Sequence, residues 1–198
     1  FSVATGDLDG DGDVDLALAT IGDREVSVLL NLGDGTFAAF VSYGVGSNPR
    51  AIAIGDLDDD GDLDLAVANQ SGGTVSVLLN LGDGSFADHV VYPAGRLLNS
   101  VAIGDLDNDG DLDLALANRV SGDVSVMINL AVTNRSNRNG SVLLNHGDGT
   151  FSHTLVFGTG SHPLPVVTGD LDGDGDLDLA VGNPGTEGVT IVLNGCVP

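Results

Sequence analysis

One acidic nonapeptide occurs four times in this chain: DLDGDGDVD at 7–15, DLDDDGDLD at 56–64, DLDNDGDLD at 105–113 and DLDGDGDLD at 170–178. Each copy carries Asp at its first, third, fifth, seventh and ninth positions and Gly at its sixth. A short loop that turns at Gly can aim alternate side chains at one central point. A hard cation such as Ca2+ takes roughly 6–8 oxygen ligands at about 2.3–2.6 Å, and a loop of this kind supplies most of them. Gly12, Gly61, Gly110 and Gly175 are expected at a positive φ, where a Cβ would be penalised.

The copies begin at 7, 56, 105 and 170, so the steps are 49, 49 and 65 residues. A period near 50 with strand-like segments is typical of propeller blades. A short apolar strand enters each loop (Val3-Ala-Thr, Ala51-Ile-Ala-Ile, Val101-Ala-Ile, Val166-Val-Thr) and a second leaves it from Leu16, Leu65, Leu114 or Leu179. A β-branched third strand follows at Val26–Asn31, Val75–Asn80, Val124–Asn129 and Val189–Asn194. A GDGT or GDGS turn then closes a hairpin to a fourth strand opening at Phe37, Phe86 or Phe151. Near-continuous small apolar runs suit strands buried on both faces. The expected fold is therefore all-β: a β-propeller of four four-stranded antiparallel blades, either a closed small ring or an arc of a larger one.

One domain spans 1–198, with blades at 1–48, 49–98, 99–163 and 164–198. The longer third step adds 16 residues, read as an inserted segment at about 130–140 that gives the third blade an extra strand or long hairpin. The fourth blade reaches Asn194 without a following GDGT turn, so it is expected to lack its outer strand and to leave an edge open to pairing.

Charge sharpens the metal reading. The formal net charge is −23, and the loops hold 21 of the 29 acidic residues, five in each plus Asp59. Carboxylates this dense oppose folding unless a cation sits among them, so folding is expected to depend on the metal. Four Ca2+ ions would reduce the formal charge by eight, to −15. Mg2+ fits less well, because it demands octahedral geometry and dehydrates reluctantly. An EF-hand needs Glu at the twelfth position, where Leu18, Val67, Leu116 and Val181 stand instead.

Six scattered arginines and no lysine exclude the basic stripe that nucleic-acid binding requires. No apolar run approaches the roughly 20 residues of a membrane span. The lone Cys196 has no internal disulfide partner. His89, His146, His153 and His162 show no metal-ligand spacing, no G-x-S-x-G elbow occurs, and the paired carboxylates belong to the loops. An enzyme is not expected. Loops rich in Asp are often tuned to the millimolar calcium found outside cells, which points to an extracellular, secreted or cell-surface location.

The four D-x-D-x-D-G-x-x-D loops, with the segments NLGDGTF at 31–37, NLGDGSF at 80–86 and NHGDGTF at 145–151, resemble the FG-GAP or VCBS-type repeats, the calcium-binding propeller blades also found in integrin α-subunits. The resemblance implies one Ca2+ per blade. Its ligands would be Asp7, Asp9, Asp11 and Asp15, with Asp13 offering its backbone carbonyl. The matching positions are Asp56, Asp58, Asp60, Asp62 and Asp64; Asp105, Asp107, Asp109, Asp111 and Asp113; and Asp170, Asp172, Asp174, Asp176 and Asp178. It also implies a binding or adhesion module for a glycan or protein. The alternatives are a structural subunit forming a homo-oligomer or fibre through the open blade edge, and an accessory domain of a polysaccharide-acting enzyme. The connections Tyr43–Arg50, Tyr92–Asn99 and Gly158–Pro165 vary between repeats and are candidate ligand contacts, with Tyr92 and Arg96 as stacking and hydrogen-bonding groups.

Overall fold

The computed structural model describes residues 2–94, 97–105, 110–118, 123–127, 139–145, 151–158, 166–173, 178–183 and 188–193. Sixteen strands are assigned among them and no helix. In the first sheet, β1 (Ser2–Gly6), β2 (Asp15–Ala19), β3 (Glu25–Leu29) and β4 (Val41–Gly44) form an antiparallel meander. The second sheet repeats it with β5 (Pro49–Gly55), β6 (Asp64–Asn69), β7 (Thr74–Leu78) and β8 (Val90–Pro93). β9 (Leu98–Gly104), β10 (Asp113–Asn118) and β11 (Asp123–Met127) form a three-stranded sheet, as do β14 (Val166–Gly169), β15 (Asp178–Asn183) and β16 (Gly188–Val192).

Register follows from the repeat. Gly6 pairs with Asp15, Gly55 with Asp64, Gly104 with Asp113 and Gly169 with Asp178, so every acidic loop closes the hairpin between the first two strands of its sheet. The expected start of the fourth strand is displaced in the first two repeats, whereas in the third a strand opens at Phe151 as expected. Phe37 and Phe86 make isolated bridges to Asn31 and Asn80 that close the GDG turn, and continuous pairing resumes only at Val41 and Val90. The longer third repeat holds an additional hairpin, β12 (Asn139–Asn145) with β13 (Phe151–Gly158), and β12 lies against β11. Residues 130–138 of the expected insertion, Arg96, the 159–165 connection and 194–198 lie outside the described residues.

The sheets stack face to face through their first strands: β1 on β5, β5 on β9, β9 on β14. They do not close into a ring among the described residues. The core lies between successive sheets. One layer joins Leu8, Ala17, Ala19, Val26 and Val28 of the first sheet to Ile52, Leu65, Val67, Leu78 and Phe86 of the second. The next joins Ala66, Ala68, Val75 and Val77 to Leu114 and Leu116. The middle strand β6 is buried on both faces, as its unbroken apolar run implies. Small residues set the spacing: a Cβ on Gly6 would lie 2.9 Å from Leu63 Cδ1, and one on Gly55 3.0 Å from Ile103 Cγ2.

Candidate metal-binding loops

The first acidic loop shows how nine residues are held. Asp7 reaches across it, Oδ1 accepting from Gly10 N at 2.9 Å and Oδ2 from Gly12 N at 2.9 Å. Asp9 Oδ1 accepts from Asp11 N at 3.3 Å, and Asp11 Oδ1 from Asp13 N at 2.8 Å. The ninth residue, Asp15, is fully buried and ties the loop to the sheet: Oδ2 accepts from Leu8 N at 2.7 Å and Oδ1 from Asn31 N at 2.7 Å, at the end of β3. The second loop is held by a similar set of bonds. Asp56 accepts from Asp60 N and Gly61 N, Asp60 from Asp62 N, and Asp64 from Leu57 N and Asn80 N, both at 2.8 Å. In the other two loops, Asp105 accepts from Gly110 N, Asp170 from Gly173 N and the buried Asp178 from Leu171 N.

Gly12, Gly61 and Gly110 have φ of 94°, 94° and 102°, as expected of the sixth position; Gly175 lies outside the described residues. The fourth position is left-handed too, at Gly10, Asp59 and Gly173. Asp59 holds φ 65° without being glycine, a conformation Asp tolerates better than most residues.

Three carboxylates converge in each of three loops. Asp7, Asp9 and Asp15 place ligand atoms within 4.8 Å of one another, as do Asp56, Asp58 and Asp64, and Asp170, Asp172 and Asp178. These are the first, third and ninth positions. The fifth-position Asp11 and Asp60 lie outside the trios, and Oδ1 of each accepts from the backbone N–H two residues on. The seventh-position side chains turn toward the neighbouring GDG turn: a Cβ on Gly33 would lie 2.6 Å from Asp13 Oδ2, and one on Gly82 2.8 Å from Asp62 Oδ2. In the third loop, Asp113 is buried at the ninth position, while Asp107 and Asp109 lie outside the described residues, as do Asp174 and Asp176 of the fourth.

The electrostatics suit a cation. Burial pushes the Asp64 carboxyl up to about 7, against the two backbone N–H groups that favour its charge, and nearby Asp58 and Asp60 add to the rise. Asp58 is raised by desolvation and by the negative charges of Asp60 and Asp56. Asp9 is raised by desolvation and by Asp11, Asp15 and Asp7. Asp58 Oδ1 is buried with no hydrogen-bond partner. A clustered all-oxygen donor set whose ninth carboxylate is buried, with an orphaned acceptor in the second loop, could hold a metal ion, and oxygen donors suit a hard one.

Sequence reasoning overlooked Asn31 and Asn80. Asn80 is buried, and its Nδ2 donates to Leu63 O of its own loop at 3.0 Å and to Leu8 O of the preceding loop at 2.8 Å. Its Oδ1 accepts from Gly82 N. Asn31 makes the matching bonds within its own sheet, to Val14 O and from Gly33 N. The signal was present in the Asn that opens each N-L-G-D-G segment. Of the proposed ligand contacts, Tyr43 stacks edge-on against Phe86, with ring centroids 5.3 Å apart, and Arg50 Nε donates to Asn99 Oδ1 at 3.2 Å.

No helix among the described residues is long and apolar enough to cross a membrane. Among solved structures, the chain resembles an Agrocybe aegerita lectin, described in terms of specific recognition of non-reducing terminal N-acetylglucosamine. The TM-score is 0.57 at 26% identity, over 96% of this chain and 51% of that one. It also resembles BBS1N from a complex with ARL6DN, with TM-score 0.59 and 16% identity over 96% of this chain and 56% of that one, a likeness of fold alone. Such neighbours are β-propeller-like, and the chain spans about half the length of each. No curated protein matches. The FG-GAP-like repeat matches at residues 7–67, 56–116 and 126–181, and the chain belongs to that family.

Proposed function

We propose that this protein is a non-enzymatic, calcium-binding propeller module that recognises a glycan or a protein outside the cell. The observation that carries the reading is the recurrence of one carboxylate trio, at Asp7/Asp9/Asp15, Asp56/Asp58/Asp64 and Asp170/Asp172/Asp178, on one hairpin of three sheets. Ca2+ would be held by those carboxylates, with a fourth ion in the loop at 105–113, and would neutralise charge that otherwise strains the fold. The sheets would be propeller blades, set rigidly by the bound ions. The likeness to a lectin that recognises N-acetylglucosamine favours a glycan as ligand.

Isothermal titration of the chelator-treated protein should give four calcium sites per chain. A glycan array that includes terminal N-acetylglucosamine, read in calcium and again in EDTA, tests recognition. Binding that disappears with EDTA supports the proposal. No calcium uptake would refute its first half, and glycan and matrix-protein arrays without signal its second.

A further inference from the structure

The acidic loops of the first two repeats are joined through one asparagine. Asn80 N donates to Asp64 Oδ1 at 2.8 Å and Asn80 Nδ2 to Leu63 O at 3.0 Å, both within the second loop. The same Nδ2 donates to Leu8 O of the first loop at 2.8 Å. Leu8 stands between Asp7 and Asp9, two of the three converging carboxylates, and its N–H holds the third, Asp15, at 2.7 Å. Leu8 and Asn80 are both buried, so the bond between them lies away from solvent.

A second contact runs the same way. Gly84 lies in the GDG turn that follows Asn80 and has φ 74°. A Cβ there would lie 3.1 Å from Asp9 Cβ and 2.8 Å from Leu30 Cδ2. The turn of the second repeat is thus pressed against a candidate ligand residue of the first. At the next junction, the pocket beside Asp56, Leu57, Asp58 and Asp59 is walled by Asp111 and Leu112 of the third repeat.

Resting on the calcium reading above, we infer that the first two loops take up their ions cooperatively, filling of either one raising the affinity of the other through Asn80. Carboxylates without a counter-charge repel one another and loosen their loop, and with it that loop's half of the Asn80 bridge. Once Asp56, Asp58 and Asp64 are gathered, Asn80 is held at its N–H and at its side chain, and the Leu8 peptide is already in place for the first loop to close. The ordering is done once and serves two sites, and such coupling is reciprocal. Two bound cations by themselves repel, so loops without this link would show no coupling or coupling of the opposite sign.

Amide NMR reads the loops separately, because Gly12 N donates to Asp7 and Gly61 N to Asp56, each at 2.9 Å. When the chelator-treated protein is titrated with calcium, the curves at both amides should be steeper than a single-site isotherm. Asp58→Asn should weaken the midpoint followed at Gly12 by about fivefold, and Asp9→Asn the midpoint at Gly61 by the same factor. With Asn80→Ala added, neither substitution should reach the other loop. Single-site curves in the unaltered protein, a Gly12 midpoint unchanged or tightened by Asp58→Asn, or coupling that survives Asn80→Ala would each overturn the link while leaving calcium binding intact. No calcium response at either amide would overturn both this inference and the reading it rests on.

Discussion

Replacing Asn80 with alanine removes three hydrogen bonds, to Leu8 O at 2.8 Å, to Leu63 O at 3.0 Å and from Gly82 N at 3.1 Å. A typical intramolecular hydrogen bond contributes about 1 kcal/mol net, and a buried carbonyl left without a donor costs more. The Leu8 carbonyl is such a group, so about 3 kcal/mol should be lost. For a domain of this size, 1 kcal/mol is roughly 2–4 °C in Tm, giving a fall of about 6–12 °C. Asn31→Ala is the internal control. It removes only two bonds, to Val14 O at 3.2 Å and from Gly33 N at 3.1 Å, both exposed, for about 1 kcal/mol or less. Differential scanning calorimetry in saturating calcium compares the two variants directly. Equal losses, or a larger loss for Asn31→Ala, would show that the bond between successive sheets does not couple one loop to the next.

Removing calcium should reverse the sign of the pH response. In chelator, Asp64 has a folded value near 7 against about 3.9 when unfolded, so its favourable contribution is complete below about pH 4 and disappears as pH rises through 7. Acidifying the metal-free protein from pH 7.5 to 5 should therefore raise its stability, by about 2–3 kcal/mol from Asp64 alone. Asp34 and Asp83 are held low by Thr36 and Ser85 and are silent in that window. In saturating calcium the same acidification should lower stability, as protons displace the ion; parallel slopes in thermal melts would refute this. Calcium at about 100 times its Kd should add about 2.7 kcal/mol per site. Asp9→Ala should lower the calcium stoichiometry by one, and Asp13→Ala should leave it unchanged, as read by titration calorimetry; equal effects would mean that the trio at the first, third and ninth positions is misassigned. Gly46→Ala should be destabilising in chemical denaturation, because its Cβ would lie 2.5 Å from the buried Asn69 Nδ2, and an unchanged midpoint would show that Asn69 moves freely.

The positions of the loops and the first three strands of each repeat were legible in the sequence, because a fixed period and runs of small apolar residues mark them locally. The division of labour among the aspartates was not. Alternation places first, third, fifth and ninth carboxylates on one side of an extended segment, yet in the folded loop Asp11 and Asp60 turn back to cap a backbone N–H two residues on. Such local side-chain-to-backbone bonds depend on loop curvature, which spacing does not encode. Asn80 escaped notice for a different reason: its partner Leu8 is 72 residues distant, and only the stacking of sheets brings them together. Tyr43, read as part of a variable surface connection, packs on Phe86 because the neighbouring repeat covers it.

A nine-residue peptide cut from this protein would be a poor chelator. The ninth carboxylate is oriented by Leu8 N within the peptide and by Asn31 or Asn80 N sixteen residues downstream, so half of its aim is borrowed from a strand that must already be in place. Ion uptake during refolding should thus lag behind hairpin formation and report the arrival of that third strand.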